Sequence, residues 1–130
     1  MAYSTELRNA KMDAITTIAG ATAKLEIYAG TDSAGTANAE GTLLATFTCG
    51  SPFAPAASVG VLSPTLPAAT TGAATGTAGW ARLTKTDGTT AVIDLTVGTS
   101  AAQIILNTLG ITLGGAVSIS SWTITDGNTA

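Results

Sequence analysis

Between residues 4 and 19 apolar side chains return every three or four positions, at Leu7, Ala10, Ala14, Ile15 and Ile18. That spacing predicts one amphipathic helix. Ser4 stands where an N-cap belongs, Glu6 falls in the first turn where the helix dipole favours an acid, and Gly20 can end the element. The stripe is rich in Ala and Thr and too weak to hold a helix by itself. It must dock on its own sheet or on a neighbouring subunit.

From Lys24 onward the period changes to two. Leu25 and Ile27 alternate with Lys24, Glu26 and Tyr28, which predicts a first strand, and Thr42 to Thr48 predicts a second. A loop separates them. Pro52 and Pro55 mark an irregular crossing, with a short edge strand expected around Val59 to Leu62. Residues 68–75 are low in complexity and read as an exposed connection. Thr77 to Thr86 and Thr89 to Val97 predict a hairpin about Asp87-Gly88, a pair suited to a type I′ turn with positive φ at both central residues. Further strands are expected at Gln103 to Asn107, Ile111 to Leu113 and Ala116 to Thr125. In the last run Val117 and Ile119 share one face while Trp122 and Ile124 fall on the other. That change of phase requires a bulge near Ser120-Ser121 or a strand that switches sheets. Short strands with frequent turn signals and no βαβ alternation predict an all-β fold. The expected form is an antiparallel β-sandwich, jelly-roll or Greek-key like, with one N-terminal helix. The expected division is a helical arm over 1–22 and a sandwich domain over 23–130.

Composition changes the picture in one respect. Charged residues make up only 10% of the 130-residue chain, against about 25% in an ordinary soluble domain. Low charge with high apolar content argues against disorder and suggests that some neutral surface is covered by a partner. A net charge of −3 with five basic residues does not make a nucleic-acid footprint. No apolar run reaches the length of about 18 residues that a membrane span needs. Cys49 is the only cysteine, so no disulfide can form within the chain; it reads as a small buried apolar residue.

Candidate chemistry is sparse. The absence of histidine removes the commonest general base and the commonest metal ligand. The acids are scattered singly. Asp32 and Asp126-Gly127-Asn128 lack the ligand density of a calcium loop and read as turns. No catalytic residue, metal or cofactor is expected, and the chain is not expected to be an enzyme. Trp80, Arg82 and Asp94 form the one notable cluster. They could make a binding patch, with Asp94 orienting the arginine. The structural reading is favoured: Trp80 as a core anchor, and Arg82 with Asp94 as a cross-strand ion pair worth under about 1 kcal/mol if exposed. Trp122 likewise reads as core.

The segments Ala23 to Thr31, Leu43 to Thr48, Gly76 to Gly98 and Ile105 to Thr125 together resemble a group of small structural proteins of tailed-bacteriophage virions. The resemblance implies a capsid decoration, or cement, protein. Such a protein is made in the bacterial cytoplasm and located on the capsid surface. Its partners would be the major capsid protein and copies of itself, with no nucleic acid, membrane or small-molecule substrate. A tail, neck or fibre module and a carbohydrate-binding module remain as alternatives, the last requiring an exposed tryptophan. An apolar residue in an arm or loop needs somewhere to go. On that ground the expected partner contacts are Tyr3, Leu7, Met12 and Ile15 in the arm, and Phe53 and Val59 in the middle loop.

Overall fold

The computed structural model describes residues 3–30 and 41–125. The loop with Asp32 and the turn at 126–128 lie outside the described residues. The elements are α1 (Thr5–Ala19), β1 (Lys24–Ala29), β2 (Leu43–Thr48), β3 (Val61–Leu62), β4 (Thr70–Thr71), β5 (Gly76–Thr84), β6 (Ala91–Gly98), β7 (Ile104–Leu106), β8 (Gly110–Ile111), β9 (Ala116–Val117), β10 (Ile119–Trp122) and β11 (Ile124–Thr125). The fold is mostly β with one helix. Its main body is a curled, seven-stranded mixed sheet in the order β10-β7-β6-β5-β1-β2, with β8 attached to β5. The ladders β3–β11 and β4–β9 are separate two-stranded sheets. The core gathers the odd residues of the central strands, Leu25, Ile27, Ala81, Leu83 and Leu95, with Phe47, Ile104 and Trp122.

The sheet is mixed because β6 and β7 run parallel, through Val97↔Ile104 and Gly98↔Ile105. Parallel neighbours ordinarily need a crossover of a dozen or more residues; here residues 99–103 suffice. A reciprocal clasp closes the short loop. The Gln103 side-chain oxygen accepts from the Thr96 amide (3.0 Å), and the Thr96 hydroxyl accepts from the Gln103 amide (3.0 Å). Ala101 takes a positive φ of 52° inside it. The hydroxyl and amide of two side chains thus substitute for ladder bonds that the backbone cannot make at that bend.

Other expectations are corrected by local hydrogen bonding. The β5–β6 turn is not type I′, since Gly88 has positive φ (75°) but Asp87 does not. The Asp87 carboxylate instead accepts from the amides of Thr89 and Thr90 (2.9 Å each) and from the Thr90 hydroxyl, which builds an Asx-type turn. Lys85 and Thr90 close the loop by a backbone bond of 3.0 Å. Segment 68–75 is not a bare connection, because β4 within it pairs with β9 and Gly72 bridges to Leu113. The Ala116–Thr125 run uses both devices expected of it. Its register shifts between Ile119 and Ser121, and its three short strands join three different partners, β4, β7 and β3.

The helix forms as expected, with the Ser4 hydroxyl accepting from the Leu7 amide (3.1 Å) and Gly20 ending it at φ 71°. Its inward face is different from the predicted stripe. Met12 and Ala19 are buried and Ile15 half-buried, while Leu7, Ala10, Ala14 and Ile18 are exposed. Polar side chains decide the rotation. The Asp13 carboxylate accepts from the Ala57 amide (2.7 Å), and the Asn9 side-chain oxygen accepts from the Gly60 amide (2.8 Å). Both donors belong to the segment before β3. Apolar periodicity could not find this face, because the anchors are Asn and Asp. Asp13→Ala should lower the unfolding free energy by about 1–2 kcal/mol, since it strands a half-buried amide. Urea titration of both proteins measures the difference.

Candidate functional site

The residues with chemistry gather on the sheet face opposite the core. Register places Thr46, Glu26, Arg82 and Asp94 in one row across β2, β1, β5 and β6, and Tyr28, Trp80 and Thr96 in the next. The Arg82 guanidinium forks onto Asp94, Nε to Oδ1 at 2.7 Å and Nη2 to Oδ2 at 3.0 Å, with both side chains only 6–7% exposed. It also lies over the Trp80 ring, its central carbon 5.1 Å from the ring centre. Tyr28 stacks on the same indole at 4.7 Å and 15° and donates its hydroxyl to Glu26 (3.1 Å). Trp80 is buried but separate from the main core cluster. Gly79 is required beside it, because a Cβ there would run into the carbonyl of Gly30.

Sequence reasoning named Trp80, Arg82 and Asp94 and omitted Glu26 and Tyr28. Their signal was present in the alternation of β1, where even positions oppose Leu25 and Ile27. Assigning them to the cluster required the register of β1 on β5. The ion pair is stronger than a surface pair, because both partners are withdrawn from water and matched in a bidentate geometry. Tyr28 bonds to Glu26 and Arg82 to Asp94, while the buried Trp80 indole nitrogen has no hydrogen-bond partner among the described residues, so the cluster acts as a lock on three strands.

Burial pushes the Glu26 carboxyl above its ordinary value of 4.5. The Tyr28 hydrogen bond and the Arg82 charge oppose that shift, and Asp87 reinforces it. Burial, then Glu26, pushes the Tyr28 phenol up to about 12. Burial pushes the Cys49 thiol up to about 11, consistent with its place in the core. Exposed Asp87 is held down at about 2 by the bonds from Thr90 and Thr89. Among the described residues no group of three or more His, Cys, Asp or Glu converges as a metal site. A shallow cleft of about 320 Å³ is lined by Thr96, Ala101, Ala102, Gln103, Thr123 and Thr125.

The six expected partner contacts separate into two kinds. Met12 (9% exposed) and Phe53 (0%) belong to the core, with Phe53 edge-on to Trp122 at 5.2 Å and 77°. Ile15 packs partly against the core, and Tyr3 is half-buried beneath Lys11, whose ammonium lies 3.9 Å from the ring centre. Leu7 (46%) and Val59 (66%) are exposed. Sequence reasoning did not single out the exposed Leu66 and Leu113. Val59 is also strained. It has a φ of 52° in a two-residue turn with Gly60 (φ 72°), closed by reciprocal backbone bonds between Ser58 and Val61 (3.0 and 2.9 Å). The positive-φ pair expected at Asp87-Gly88 therefore occurs at Val59-Gly60.

No protein family, curated protein or solved structure matches the chain. Among the described residues no helix is long and apolar enough to cross a membrane.

Two outcomes are expected of this cluster. Asp94→Ala should cost about 3–5 kcal/mol, because it leaves a guanidinium buried beside an empty site, while the double change Arg82→Met with Asp94→Leu should recover most of that loss. Denaturant midpoints of the three proteins decide it. The second outcome concerns pH. A carboxyl with a raised folded-state pKa contributes stability that is fully present below its unfolded value and lost as pH rises through the folded one. Glu26 should therefore make the protein more stable as pH falls from neutral toward 4.5. Glu26→Gln should flatten that slope and be the more stable protein at pH 7. Asp87 acts oppositely and lower, its contribution disappearing as pH falls from 3.8 through about 2, so the two windows do not overlap.

Proposed function

We propose that the chain is a virion structural protein that decorates a phage head, binding between major capsid subunits as a cement and acting by contact, without catalysis. Val59 carries this reading. Asn-Gly is the favoured pair for a two-residue turn with positive φ at both positions. A β-branched residue there costs on the order of 1–3 kcal/mol. Val59 is 66% exposed, so its side chain gains little from its own core. A residue held at such a cost, in the open and at the tip of a turn, has its stabilising contact outside the chain. Asn9 ties α1 to the same turn, and α1 exposes Leu7 and Ile18. The low charge of the chain fits close, dry contact. In this reading the curled sheet and small ladders serve as a sandwich, jelly-roll-like body that presents the turn.

A tail, neck or fibre module would use the same surface in a ring or at a tip. Copy number distinguishes it from a head protein, since a cement binds in proportion to shell subunits and multiplies a modest interface over the particle. A carbohydrate-binding module would need an exposed tryptophan, and Trp80 and Trp122 are each 2% exposed.

Val59→Asn is the informative substitution. It should raise stability by about 1 kcal/mol by relieving the turn. It should also reduce saturation of undecorated phage heads in a co-sedimentation assay, with Leu7→Glu reducing it further. If Val59→Asn and Leu7→Glu both bind heads as the parent does, this surface is not the cement contact.

A further inference from the structure

β2 ends the main sheet and is paired there with β1 alone. Its register shows which of its backbone groups face outward. The Cys49 amide bonds to the Ala23 carbonyl (2.8 Å), and these residues face each other directly in the continued β1–β2 alignment. Bonded and non-bonded pairs alternate along an antiparallel ladder. Phe47 and Ala45 therefore spend their amides and carbonyls on β1, while Thr46 and Thr48 point theirs away from it. Toward the start of the strand the Leu44 carbonyl is taken by the Ala73 amide (2.7 Å). Among the described residues no backbone bond reaches the outward groups of Thr46 and Thr48.

The other end of the sheet differs. β10 is irregular between Ile119 and Ser121, and the Ser120 hydroxyl turns back onto the Ile105 carbonyl (3.2 Å). A bulge of this kind blunts an edge against further pairing. From Ala45 to Thr48, β2 has regular register and carries no proline, bulge or charged side chain. Nothing in its sequence guards it.

We propose that this edge pairs with the same edge of a second copy of the chain, antiparallel about a two-fold axis at Phe47. Thr46 of each copy then exchanges both backbone bonds with Thr48 of the other. The edge is complementary to itself. The two outward residues are two positions apart, so the rotation exchanges them, and threonine meets threonine across the seam, a favourable cross-strand pair. One strand further in, Glu26 lies beside Thr46 and Lys24 beside Thr48. Each row across the joined sheets therefore carries Glu26 of one copy and Lys24 of the other, with no like charges aligned. The seam has natural limits, since Ala73 covers Leu44 at one end, and by symmetry the paired strand leaves at Gly50. This association is independent of attachment to a shell: failure to bind heads would leave it standing, and failure to pair would leave head binding standing.

Sedimentation equilibrium of the purified full chain over a range of concentrations should show monomer converting to dimer and no further. Amide exchange followed by NMR should show the Thr46 and Thr48 amides becoming protected as dimer forms, with loss of that protection on dilution. Thr48→Pro removes an outward donor and should abolish the dimer. If that variant fails to fold, the exchange pattern of the parent chain still decides the matter. A chain that stays monomeric, grows past a dimer, or dimerises with these two amides unprotected overturns the proposal. So does a monomer whose edge becomes protected only on adding phage heads, which would assign the edge to a foreign strand.

Discussion

The central strands depend on one buried charge pair. Arg82 is placed so that its guanidinium meets the whole carboxylate of Asp94 and lies against Trp80. A slip of β5 by one residue would swing every side chain to the opposite face. It would drive the guanidinium into the apolar core and leave Asp94 unpaired, which is far more costly than the loss of one apolar contact. The apolar residues here are mostly small or interchangeable, Ala, Leu and Ile, and specify register weakly. The polar row therefore supplies the specificity that the core lacks. Once β1, β5 and β6 are aligned, the stacking of Tyr28 on Trp80 and the bond from Tyr28 to Glu26 follow from the same register.

Patterns that depend on near neighbours were legible in the sequence. The helix and its caps, the strands β1, β2, β5, β6 and β7, and the phase change before Trp122 all follow from spacing. Patterns that depend on a distant partner were not. The helix face is chosen by Asn9 and Asp13, whose partners lie 51 and 44 residues away. The parallel β6–β7 step depends on Thr96 and Gln103 bonding as side chains, which no hydropathy pattern records. At Asp87-Gly88 the sequence contained two competing signals, a dipeptide for one turn type and a carboxylate able to hold another, and the carboxylate prevailed. Of the candidate contacts, Phe53 illustrates the limit of exposure logic. An apolar residue in an irregular segment does need a partner, and Phe53 finds it in Trp122 of its own chain.

Strain and exposure coincide at Val59, and they separate it from the other exposed apolar residues. Leu66 and Leu113 are ordinary for a protein surface, where scattered apolar side chains need no explanation. Val59 is not, because its backbone would favour a different residue. The reciprocal Ser58–Val61 bonds and the Asn9 contact hold the turn in place. The tip is thus held rigidly against the body of the fold.

The run from Ala116 to Thr125 stitches β4, β7 and β3 in succession. All three partners precede this run in sequence, so none of the three seams can close before residues 116–125 have been made. During synthesis β3 and β4 wait as half-made pairs with their backbone groups in water. A chain cut shortly before Ala116 would leave all three seams open at once.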